Sequence, residues 1–141
     1  MSLTDTTIDD VFETFELMDD WEDRYRYLIE LGEKIESLSD DEKTPAAKVR
    51  GCTSQVWMVP DFSDDTPPRI SFRGESDALI VKGLVAVLFL IYQGKTPHEI
   101  LAIDAKEMMG KLGLSQHLSP MRTNGLFAMI QRIQDIAKAH L

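Results

Sequence analysis

The sequence predicts an α+β domain, a small antiparallel sheet of two to three strands packed against five to six helices. Three observations carry this. Apolar residues recur at helical spacing near both ends of the chain, and a nearly continuous apolar run, LIVKGLVAVLFLIY, marks a buried central helix. Between them, two short alternating segments flank the turn-forming SDDTPPR. With 141 residues the chain is a single domain, 1–141, long enough to bury about 70% of its unfolded surface.

Thr7 is placed to cap the first helix, with Asp9 and Asp10 at the positive end of its dipole and Ile8, Val11, Phe12 and Phe15 on one face. A second helix begins near Asp20, with Trp21, Tyr25, Leu28, Ile29 and Ile35 as its apolar stripe. SLSDDEKTPAAKVRG reads as a loop ending in a short third strand at Lys48-Val49-Arg50. Gln55 to Phe62 and Arg69 to Arg73 read as a hairpin.

Ser76 and Asp77 are placed to cap the central helix, Leu79 to Gln93, which Gly94 terminates. Thr96-Pro97 with Glu99 is a capping box opening a further helix, and Ala105 to Leu112 forms a short one stopped by Gly113. Ser119-Pro120 opens the last helix, with Leu126, Met129, Ile130, Ile133 and Ile136 at core spacing. Gly125 inside it points to close backbone packing, since glycine there costs about 1 kcal/mol relative to alanine.

The charge of −9 and the lack of a Lys/Arg cluster argue against nucleic-acid binding. An acidic surface also disfavours anionic membranes. The N-terminus has no signal-peptide pattern and no apolar run approaches the length that crosses a bilayer, so a cytoplasmic location is the expectation. His98, His117 and His140 are isolated, which disfavours zinc, and no Gly-rich phosphate loop is present. Asp61, Asp64 and Asp65 lack the spacing of a calcium loop.

That leaves Cys52, the only cysteine. Lone cysteines are commonly inert and buried. Here, however, the thiol follows Gly51 and precedes Thr53-Ser54 in a turn, and the adjacent Arg50 favours a thiolate. Two chemistries fit a reactive Cys52. As a hydrolytic nucleophile it would need a base, for which His117 with Asn124 is the available pair. As a sulfur carrier it needs only a modestly activated thiolate. A third reading is an interaction module whose thiol is incidental.

Three blocks, GCTSQVW, SDALIVKGLVAVLFLIYQGKTPHEIL and LGLSQHLSPMRTNGLFAMI, resemble the SufE family of sulfur acceptors in iron–sulfur cluster assembly. The likeness runs from WEDRYRYLIELGEKI to the last helix and departs at Thr53, where the family usually has Gln. It implies a fold related to IscU-type scaffold proteins, with Cys52 on a loop at one end of the sheet. It also implies that Cys52 takes sulfur from the persulfide of a cysteine desulfurase, a pyridoxal phosphate enzyme, and delivers it to a cluster scaffold. The chain would bind no cofactor itself and would act as a transfer partner, not a stand-alone enzyme. Arg122, Gln55 and Asp77 fall in the matched blocks. Arg122 would supply positive charge near the sulfur or pair locally; Gln55 and Asp77 would tie down the cysteine loop or cap a helix. Cys52 would be partly sheltered in the free protein.

Overall fold

The computed structural model describes residues 6–51 and 54–141. Two helices, α1 (Ile8–Leu17) and α2 (Trp21–Glu33), precede a hairpin of β1 (Val56–Phe62) and β2 (Ile70–Ser76). The central helix α3 (Leu79–Tyr92) leads to the short helices α4 (Pro97–Ala102), α5 (Ala105–Lys111) and α6 (Leu114–His117), and α7 (Pro120–Lys138) closes the fold. This is the α+β architecture read from the sequence.

Most helix starts are set by local chemistry. Thr7 and Asp10 form a reciprocal capping box on α1, Asp20 accepts from the Glu22 amide, Thr96 and Glu99 form a second box, and Ser119 caps α7 ahead of Pro120. α3 is apolar nearly all round because most of it is buried, from Val81 and Gly83 through Phe89 to Ile91 and Tyr92. It packs chiefly on α2. At their crossing a Cβ on Gly83 would lie 2.3 Å from the Leu28 carbonyl oxygen, and one on Gly32 2.8 Å from the Gly83 nitrogen. Only glycines let these backbones approach so closely.

One face of the hairpin, with Val56, Met58, Ile70, Phe72 and Gly74 buried, turns toward α3. The strands are antiparallel with Trp57 opposite Glu75 and Val59 opposite Arg73. The other face carries Trp57, Arg73 and Glu75 and is crossed by the chain between α2 and β1. Arg73 pairs there with Glu42 at 2.7 Å and with Asp61 at 2.8 Å, and Lys43 lies over the Trp57 ring.

Four expectations are corrected. Lys48-Val49-Arg50 is not a strand: Lys48 makes a single bridge to Trp57, because turns at 45–47 and 50–51 leave no length for a ladder. Ser76 and Asp77 do not cap α3. Its N-cap is Ala78, without a side-chain cap bond, and the Asp77 carboxylate is engaged elsewhere. Ile35 lies beyond the end of α2 yet remains buried, while Leu31 complements the apolar face of α2. Seven α-helices occur among the described residues instead of five to six, because Gly113, which stops α5, also opens the four-residue α6.

Candidate functional site

The site is built around the segment that carries Cys52. Cys52 and Thr53 lie outside the described residues, so the geometry concerns the two arms that flank them, ending at Gly51 and Ser54.

The arms are joined at their base. The Val49 amide donates to the Val56 carbonyl at 2.8 Å, and the Met58 amide donates to the Ala47 carbonyl at 3.0 Å. Val49, 2% exposed, anchors the upstream arm in the core. Gly51 takes a φ of +92°, a conformation that favours glycine, and a Cβ there would meet the Ala128 Cβ of α7 at 3.1 Å.

The downstream arm is fixed by a reciprocal pair. The Gln55 amide donates to Asp77 Oδ1 at 3.0 Å, and the Asp77 amide donates to the Gln55 carbonyl at 3.3 Å. Asp77 therefore ties down the downstream arm, and Gln55 takes part through its backbone. Next to this clamp the Lys82 ammonium of α3 bonds Glu75 at 2.9 Å. Burial pushes the Glu75 carboxyl up, but the bonds from Lys82 and the Ser76 amide outweigh it, holding the group below its ordinary range.

Beside Ser54 a narrow cleft of about 10 Å³ runs between the N-terminal halves of α3 and α7, room for no more than a single water. Val81, Leu84, Leu126 and Met129 give it apolar walls, and Met121, Arg122 and Gly125 belong to its α7 side. Arg122 is thus brought to the arm that follows Cys52. Arg50 is exposed on the other arm. Among the described residues neither guanidinium forms an ion pair. A guanidinium next to a cysteine stabilises thiolate over thiol.

His117 is held as part of the scaffold. Its ring stacks on Trp21 with centroids 3.9 Å apart, Nδ1 lies 2.9 Å from the Gly113 carbonyl oxygen, and its own carbonyl accepts from the Tyr25 hydroxyl. Arg24 lies over the same indole. Asn124 makes no side-chain hydrogen bond among the described residues, to His117 or otherwise.

Sequence reading missed the platform beneath the arms. Met121, Gly125, Ala128 and Arg132 recur at helical spacing along α7. The first two belong to the Ser54 cleft, Ala128 meets Gly51, and Arg132 donates to the Ala46 and Lys48 carbonyls. The available signal was the pair of small residues, Gly125 and Ala128, at the centre of that stripe.

The chain is similar to known proteins in sequence and in fold. The family described as "Fe-S metabolism associated domain", SufE, matches residues 9–137. The chain belongs to the SufE family. An uncharacterized SufE-like protein of Rhizobium etli is 49% identical over 133 residues, covering 94% of this chain and 90% of that one. A second, from Rhizobium meliloti, is 47% identical over 137 residues, covering 96% and 98%. The fold also matches the solution structure of a hypothetical protein from Thermus thermophilus, with a TM-score of 0.74, 20% identity and 94% of each chain covered. Membership of the SufE family associates the protein with iron–sulfur metabolism. Among the described residues no group of three or more His, Cys, Asp or Glu is gathered to hold a metal ion, and no helix is long and apolar enough to cross a membrane.

Proposed function

We propose that this SufE-family protein is a sulfur carrier that accepts sulfur from a cysteine desulfurase on Cys52, stimulates that enzyme and passes the sulfur to an iron–sulfur cluster scaffold. The observation that carries the reading is the pair of anchored arms, ending at Gly51 and Ser54, that flank the only cysteine in the sequence, with Arg50 and Arg122 on or against them and outside any ion pair among the described residues, in a chain of this family.

The chemistry needs one thiolate and no change of oxidation state overall. Cys52 Sγ attacks the outer sulfur of the donor's persulfide. A new S–S bond forms on Cys52, the donor's S–S bond breaks, and the electron pair leaves with the donor's cysteine thiolate. A thiolate on the acceptor repeats the exchange and restores Cys52. A second cysteine nearby would resolve the persulfide into a disulfide, and the chain has none. Arg50 and Arg122 would favour both the attacking thiolate and the anionic persulfide.

The hydrolase alternative, Cys52 with His117, has less support. The His117 ring is stacked on Trp21 and its Nδ1 is committed to Gly113. The carrier and the incidental-thiol readings separate in one assay. Cys52→Ser should abolish stimulation of the partner desulfurase while the melting temperature stays at the wild-type value; stimulation that survives the substitution would favour an interaction module.

A further inference from the structure

The upstream arm, residues 44–51, has little secondary structure of its own. Its turn rests on the Lys48 amide bonded to the Thr44 carbonyl and the Ala47 amide bonded to Thr44 Oγ1. Bonds to β1 use the Val49 amide and the Ala47 carbonyl. The carbonyls of Ala46 and Lys48 are instead taken by one side chain from the far end of the sequence, Arg132 of α7. A guanidinium suits this task because its planar fork presents several donors in fixed directions, so one residue bridges two carbonyls of a turn. Four residues earlier on the same helix face, Ala128 receives Gly51. Arg132 and Ala128 therefore fix the position and slope of the chain as it enters Cys52.

We propose that Arg132 is a positioning residue for sulfur transfer: by holding the Ala46 and Lys48 carbonyls against α7, it sets how Cys52 is presented to the sulfur donor. This inference rests on the carrier reading above. Two nitrogens of its guanidinium are engaged with those carbonyls. It acts through the backbone, and its loss leaves the downstream clamp at Asp77 and the α3 core intact. The upstream arm would then sample positions in which the thiol is misaligned for attack on a persulfide. In-line attack is sensitive to such misplacement, and a shift of about 1 Å can cost on the order of 100-fold in rate. Retention of the Val49 anchor makes about tenfold the expected loss here.

The test compares wild type, Arg132→Gln and Arg132→Lys, each with its partner desulfurase and cysteine. Single-turnover sulfur loading of Cys52 is followed by mass spectrometry, alongside iodoacetamide alkylation of Cys52 and amide exchange of the free proteins. Arg132→Gln should lower the maximal loading rate about tenfold with the half-saturating carrier concentration unchanged, and should speed exchange at Lys48 and Val49. Arg132→Lys, which can satisfy one carbonyl, should recover part of the rate. Wild-type loading by Arg132→Gln, per folded molecule, would overturn the proposal even if its melting temperature fell. If wild type itself loads no sulfur from an active desulfurase, the carrier reading fails. The positioning role then stands or falls on whether alkylation and exchange differ between wild type and Arg132→Gln.

Discussion

The crossing of α2 and α3 and the cradle under the cysteine loop are both close approaches of backbone to helix, made by opposite means. At the crossing, Gly32 and Gly83 bring two helix backbones together inside a core that includes Leu28, Leu31, Val87 and Phe89. Nothing there can move without opening the core. At the cradle, Gly51 rests on Ala128 and Val49 anchors the upstream arm in the core, while discrete polar contacts nearer the surface hold the rest: Asp77 to Gln55, and Arg132 to Ala46 and Lys48. Each such contact is worth about 1 kcal/mol net and can be broken singly. The difference gives a tightly packed body flanked by arms whose polar contacts can be broken one at a time, which suits the carrier role proposed above.

The comparison breaks most visibly at Gly83. Gly83→Ala would drive a Cβ to 2.3 Å from the Leu28 carbonyl oxygen. We expect a loss of about 3 kcal/mol or more from this overpacking, measured as a shifted urea midpoint. An unchanged midpoint would mean that the crossing is looser than described.

A smaller, local effect is expected from Asp77→Ala. It removes the side-chain half of the downstream clamp and leaves the Gln55 amide to solvent. Global stability should fall by about 1 kcal/mol, while exchange of the Gln55 amide rises far more than that of α3. Equal acceleration in both regions would deny that loop and core are separable.

The smallest effect concerns Arg73, which binds the crossing segment to the outer sheet face. Its hydrogen bond to Glu42, helped by the Ser39 amide, draws the Glu42 carboxyl from 4.5 to about 2. A lowered folded-state pKa contributes stability above the unfolded value and loses it as pH falls toward the folded one. The stability difference between wild type and Glu42→Gln should therefore be full above about pH 5, shrink between pH 4.5 and about 2, and weaken with added salt because the pair is near the surface. A difference independent of pH would assign the contact to packing alone.

The sequence reveals far more of the rigid body than of the cradle, for a physical reason. Helix starts at Thr7, Asp20, Thr96 and Ser119 are decided by bonds spanning two or three residues, and α3 announces its burial through its own composition. The cradle depends on contacts across long stretches of chain. Asp77 before a helix reads as a cap, yet its carboxylate serves an amide 22 residues away, and Arg132 reaches 84 and 86 residues back. No local pattern encodes those pairings. α6 is too short for periodicity to register. Gly51 and Arg122 enter the sequence reading only through turn chemistry and the SufE blocks.

The proposed carrier role stands on the transfer of sulfur to Cys52. Incubation of the protein with its partner desulfurase and cysteine, followed by intact-mass and peptide mass spectrometry under non-reducing conditions, tests it most directly. One added sulfur is expected, located on Cys52 and absent from Cys52→Ser. An active desulfurase that leaves the wild-type mass unchanged would contradict it.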